Sequence, residues 1–283
     1  MMVEAFCPGH ITCFFRSCRR SGDLLRSGSV GAGLCVDKGA LAQVREGDED
    51  RLTIVYRGRE QEAPVTRRAL QRMGLNALKV DITHQLPLGQ GMGMSASGTL
   101  AACLAAAELK GLSREDAFKA AHCAEIEAGG GLGDVSGLTG HGQSTRIRPG
   151  LPPIGEVSSQ DWVMELSMVF VGGPLSTAEI LQDQNIMQEI DECGQRALDR
   201  YLAEPSVDAL FRISNSFSHR CGLESGDLKE AMRVVSPFAR CGMAMLGNAI
   251  FMAGDLDRAE KELGLPTTRV RLDHRGPRVT RIG

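Results

Sequence analysis

Residues 87–98 read PLGQGMGMSASG, with Gly89, Gly91 and Gly93 at alternate positions and two hydroxyls, Ser95 and Ser97, directly after them. Glycine lets a backbone approach a ligand closely. The start of a helix leaves amide groups unpaired and carries the positive end of the helix dipole, so a glycine-rich turn feeding into one makes a seat for phosphate oxygens. The run lacks the Gly-Lys-Ser/Thr ending of a Walker-type loop, and no acidic residue follows at the end of a next strand as a Rossmann site requires. Whatever anion it holds, it holds without a lysine of its own. Taken alone, three spaced glycines describe a tight turn with a capping serine equally well.

Downstream, the helical segment DAFKAAHCAEIEA carries Glu125 and Glu127, and the turn GGGLGDVSGLTGHG that follows carries Asp134. Phosphoryl transfer from ATP needs magnesium across the β and γ phosphates, donors around the transferred group, and a carboxylate that orients or deprotonates the attacking hydroxyl. Ser95, Glu125 and Asp134 are of the right types to supply these parts. A single glutamate on a helix is more often a solvated charge, and an aspartate in a turn more often a turn residue. His10, His122 and His141 do not stand at metal-ligand spacings, and only His10, inside CPGHIT, lies in a segment of interest.

The elements that position these residues are legible in outline. EAFCPGHITCFF, SGSVGAGLCVDKG, RLTIVYRG and ALKVDITHQLPL mix β-type residues with glycine turns and predict a sheet of short strands. SASGTLAACLAAAELK is a helix built on Ala and Leu that ends at Gly111, and Ser113 caps the next, with Asp116 at the capping-box position. The cluster RPGLPPIG predicts a boundary between two lobes, residues 1–154 and 155–283. The second lobe reads as a strand, VMELSMVFVGG, helices from about Ser176 to Ala239, then AIFMAG, a helix DLDRAEKELG and a strand VRLDH. That pattern is an α+β sandwich.

Composition narrows the function. The 283 residues carry 32 basic and 35 acidic side chains, a net charge of −3, which provides no field for a nucleic-acid backbone. Nine cysteines, odd in number and never paired as Cys-x-x-Cys, predict reduced thiols in a cytoplasmic protein rather than disulfides or a zinc site. No segment is apolar enough to span a bilayer, and no internal repeat is present. Small-molecule partners are expected, without nucleic acid or membrane, and apolar helix faces in the second lobe would suit a homodimer.

Together, CPGHITCFF near the start, PLGQGMGMSASG in the middle and CGMAMLGNAIFMAG near the end resemble the three ordered motifs of the GHMP kinases. PGHIT followed by two phenylalanines, GSVGAGLCVDKG, the GMS form of the loop and AEIEAGGGLGDV are most similar to an archaeal branch of that family acting on the hydroxy acid pantoate, on a route to coenzyme A. The resemblance implies a two-lobed α+β fold, with an N-terminal lobe like ribosomal protein S5 domain 2, containing a left-handed βαβ element, and a ferredoxin-like C-terminal lobe. It implies that ATP phosphates lie on Gly89, Gly91, Met92, Gly93, Met94, Ser95, Ala96 and Ser97. It further implies that Ser95 and Glu125 coordinate Mg2+, that Asp134 is the catalytic carboxylate with Ser95 beside it, and that the acceptor lies near His10, Thr12, Ser29 and Gly31. Two departures stand out: Met94 replaces a first serine common in relatives, and Val30 occupies a position expected to be basic. A carboxylate-bearing acceptor needs a cation, for which Arg16, Arg19, Arg26 and Arg146 are candidates. Competing readings are a homoserine, shikimate or mevalonate kinase, a mevalonate-diphosphate-type decarboxylase, and a ligand sensor without chemistry.

Overall fold

A computed structural model describes residues 1–47, 52–129, 131–173 and 184–283, arranged around two sheets. The first is organised by a long hairpin of β1 (Met2–Cys18) and β2 (Gly28–Glu46). The short strands expected at this end are therefore two strands of 17 and 19 residues. The glycine-rich segments do not end them, because the register shifts at Pro8/Gly9 and Thr12/Phe14, and such irregularities bend a strand while pairing continues on either side.

The bent hairpin recruits different partners along its length. Residues 40–46 of β2 pair with β5 (Leu78–His84), and residues 31–34 pair with β6 (Gln143–Arg148). Beyond β5 lie β3 (Thr53–Tyr56) and β4 (Arg59–Glu60), with β3 parallel to β5 and joined to it through β4 and α1 (Pro64–Arg72). From beyond residue 154, β7 (Glu156–Gln160) adds to β6, and β12 (Arg278–Ile282) returns to pair with β1. The division expected after residue 154 thus falls between two neighbouring strands of one sheet.

The second sheet is antiparallel, in the order β11 (Thr267–Arg271), β8 (Glu165–Phe170), β10 (Ala249–Gly254), β9 (Ala239–Met243). Between β8 and β9 run α5 (Gln184–Ala203), α6 (Val207–Arg220) and α7 (Gly226–Val235), and α8 (Leu256–Leu263) precedes β11. This is the ferredoxin-like arrangement expected of the second lobe. The stretch from Ser176 to residue 183, expected to be helical, lies outside the described residues. The third motif is a strand, a turn and a strand.

Two helices carry the candidate residues. In α2 (Met94–Lys110) nearly every side chain is buried, as befits a helix apolar all round, and it packs on β1, β2, β5, α1 and α3. α3 (Arg114–Ala128) opens with the reciprocal capping box of Ser113 and Asp116. The second lobe docks on β1, where the Phe14 ring meets Tyr201 edge-on at 5.8 Å and Phe15 lies 5.9 Å from Phe217. Among the described residues no helix is long and apolar enough to cross a membrane, and all nine cysteines are free.

The glycine loop is clasped from the opposite side. Gln90 Nε2 donates to the Gly172 carbonyl at 2.9 Å, and Gln90 Oε1 accepts from the Asn248 amide at 3.1 Å. The Met245 amide donates to the Thr12 carbonyl at 3.0 Å. Gly247 lies so close that a Cβ there would come within 2.1 Å of the Gln90 carbonyl carbon. Gly247→Ala should therefore cost about 1–3 kcal/mol of stability. A lowered denaturation midpoint is the expected reading, and an unchanged midpoint would mean that turn and loop are not in this contact.

Candidate active site

The loop delivers the chain into α2 through Gly93, whose φ of 59° is left-handed and whose side-chain position is closed by Asp134 Cγ at 3.1 Å. No side chain caps this helix and no acid stands in its first turn. The first helical bond runs from the Ser97 amide to the Gly93 carbonyl. The amides of Met94, Ser95 and Ala96 accordingly have no acceptor among the described residues, and the Ser95 hydroxyl takes no hydrogen bond there. Three amides, one hydroxyl and the dipole's positive end form an open anion seat.

It opens on a cavity of about 310 Å³, lined in part by Thr12, Ser29, Glu125, Asp134, Arg146 and the loop itself. From the loop, Gly89, Gly91, Met92, Gly93, Met94, Ser95 and Ala96 all reach the lining. Ser97 does not. It is buried, and its hydroxyl donates to the Pro8 carbonyl at 2.6 Å and lies 3.0 Å from the Gly93 carbonyl, which ties α2 to β1. Of the residues expected near the acceptor, Thr12 and Ser29 line the cavity. His10 and Gly31 lie behind it, Gly31 being pressed against the Phe14 carbonyl.

Two carboxylates approach the seat from different elements. Asp134 is the first residue of the single-turn helix α4 (Asp134–Gly137), and about a fifth of its side chain is exposed. Glu125 comes from the last turn of α3, is buried, and Oε2 accepts from the Val135 amide at 3.4 Å. Burial, and secondarily the Asp134 charge, push the Glu125 carboxyl up from its ordinary 4.5 to about 8, against the pull of Val135 and Arg146. A divalent cation would offset both penalties. The free Ser95 hydroxyl and the Glu125 carboxylate are the hard oxygen donors magnesium takes when phosphates and water complete its shell. Among the described residues no group of three or more His, Cys, Asp or Glu is placed to hold a metal by itself.

Of the four arginines considered from the sequence, Arg146 of β6 is the one that lines this cavity. Its side chain is buried, burial lowers its basicity, and Nη1 donates to His10 Nε2 at 3.3 Å. Its Nε has no hydrogen-bond partner and sits beside Gly133 and Ser29 at the cavity wall. The other candidates lie elsewhere: Arg26 pairs with Asp23 at the surface, while Arg16 and Arg19 border a separate cleft. Val30 faces that same cleft, so its departure from a basic residue takes nothing from the cavity. Sequence spacing did not single out Arg146, which β6 brings across β2 into the site.

A sequence profile described as the GHMP kinases N terminal domain matches residues 61–141. A pantoate kinase from Thermococcus kodakarensis is 32% identical over 273 residues, which span 92% of this chain and 90% of that protein. The chain belongs to the GHMP kinase family, small-molecule kinases that use ATP. A solved structure described as a phosphotransferase related to the coenzyme A biosynthesis pathway matches with a TM-score of 0.89 and 29% identity, covering 99% of both chains. A homoserine kinase from Cytophaga hutchinsonii matches with a TM-score of 0.71 at 15% identity, over 99% of this chain and 97% of that one, a likeness of fold alone.

The raised Glu125 value has a measurable consequence in the metal-free protein. Because the folded state keeps a proton that the unfolded chain releases, stability from this group is fully present below pH 4.5 and is lost as pH rises to about 8. Glu125→Gln, neutral throughout, should gain in melting temperature over the parent across that window and no further above it. A difference that does not change with pH would mean that Glu125 is not buried as a carboxyl.

Proposed function

We propose that the protein transfers the γ-phosphoryl group of ATP to the primary hydroxyl of pantoate, giving 4-phosphopantoate for coenzyme A synthesis. The observation that carries the class of acceptor, a carboxylate bearer, is Arg146, a buried guanidinium that lines the same cavity as the uncapped helix start and has one N–H without a partner. An anionic acceptor satisfies that donor, and an acceptor without a carboxylate leaves it orphaned. Homoserine, shikimate, mevalonate and pantothenate carry a carboxylate too, and it is the relatives named pantoate kinase that favour pantoate among them.

In this reading the amides of Met94, Ser95 and Ala96 hold the phosphates, together with the backbone of the preceding glycine loop. Ser95 and Glu125 hold magnesium, which when bound neutralises phosphate charge. Pantoate lies between Thr12, Ser29 and Arg146, with its carboxylate on Arg146. Asp134 orients its hydroxyl and takes the proton as the oxygen bonds to the γ phosphorus and ADP departs. The helix dipole and the fixed amides lie where charge gathers on the transferring group, without reorganising during the step.

Purified protein given ATP and magnesium should form ADP fastest with pantoate when pantothenate, homoserine, shikimate and mevalonate are tested alongside. Preference for another acceptor would overturn the assignment, and release of carbon dioxide would identify a decarboxylase. Asp134→Asn should bind ATP normally but lose about 10²–10⁴ in turnover, the usual contribution of a positioned base. Arg146→Gln should lower kcat/KM for pantoate about 10–100-fold, the worth of a charge-assisted hydrogen bond, with the KM for ATP nearly unchanged.

A further inference from the structure

His10, expected from its motif to touch the acceptor, is fully buried in β1 behind Asp134. Its Nδ1 lies 2.8 Å from Asp134 Oδ1, and its Nε2 lies 3.3 Å from both Arg146 Nη1 and the Ser144 hydroxyl. A guanidinium has donors only. Nε2 must therefore accept, and the single proton of the neutral ring resides on Nδ1, from which it is donated to Asp134. A doubly protonated ring would crowd Nε2–H against the N–H of Arg146, beside the Ser144 hydroxyl, and set two cations side by side in a fully buried place. Burial depresses the basicity of His10, and Arg146 adds to the effect, against the pull of Asp134.

Asp134 Oδ1 accepts a second donor, the Thr12 hydroxyl at 3.4 Å. Oδ2 has no hydrogen-bond partner among the described residues. We propose that His10 is a positioning residue. As the Nδ1–H tautomer it anchors Asp134 through Oδ1 and leaves Oδ2 as the oxygen that receives the acceptor's proton. The same ring accepts from Arg146. One rigid five-membered ring thus sets the separation between the group that receives the acceptor's carboxylate and the group that receives its proton. Acceptors are selected by the distance between their carboxylate and hydroxyl as well as by charge. This rests on the proposed role of Asp134 and adds which of its oxygens acts and what orients it.

Histidine-labelled wild-type protein, read by long-range proton–nitrogen NMR correlation near neutral pH, is expected to show His10 with a protonated Nδ1 and a bare Nε2. His10→Asn returns an amide donor near the Nδ1 position, whereas His10→Gln places its amide near Nε2 and leaves Asp134 without its donor. The Asn variant should keep kcat within about tenfold of wild type, while the Gln and Ala variants lose about 100-fold with the KM for ATP unchanged, the scale of a small misplacement of a reacting group. A bare Nδ1, wild-type kcat in His10→Ala, or equal losses in the Asn and Gln variants would overturn the proposal. Retained turnover in Asp134→Asn would instead remove the role of Asp134 as base, while the NMR result stays readable.

Discussion

The structure depends on a helix whose first turn is left without a cap. Three amides at the start of α2 have no acceptor among the described residues, although the rest of that helix is deep in the first lobe. Unpaired donors at a helix end are costly unless water or a ligand meets them. The surrounding parts keep this end open and in place. Ser97 fastens it to β1 from behind, Gln90 fastens the preceding loop to the second lobe, and Gly93 admits Asp134 where any side chain would stand in its way.

Charge is arranged around that opening without a lysine. The positive end of α2 and the buried guanidinium of Arg146 face two carboxylates, and burial treats the two acids differently. Glu125 is enclosed enough for its carboxyl to hold its proton in the absence of a cation, whereas Asp134 keeps an exposed edge and is held through one oxygen by His10 and Thr12. Groups with separated environments are suited to separate tasks. In the proposed function the enclosed Glu125 is the carboxylate that would meet the cation, and the partly exposed Asp134 the one that would take the proton.

Local chemistry made part of this legible from the residues alone. The Ala and Leu run up to Gly111 predicted α2 almost to its ends, and Ser113 with Asp116 predicted the start of α3, because propensity and capping act within a few residues. Thr12, Ser29, Glu125, Asp134 and most of the loop do converge on one cavity. What escaped was set by long-range pairing. The hairpin's bulges decide which side of β1 and β2 each residue faces, so His10 and Gly31 were expected in the cavity and lie behind it, while Val30 faces another cleft. The return of β12 to β1 had no local signal, and the place of Arg146 follows from which strand pairs with β2. Ser97 could have been set apart by spacing, since it lies one turn after Gly93 and can bond back to that carbonyl.

The central claim is that the open first turn of α2 grips the triphosphate. A crystal structure with magnesium and a non-hydrolysable ATP analogue tests it most directly. The β and γ phosphate oxygens are predicted to lie within hydrogen-bonding distance of the amides of Met94, Ser95 and Ala96, with the terminal phosphate facing Asp134. An analogue bound with its phosphates elsewhere, and those three amides left to water, would contradict the account.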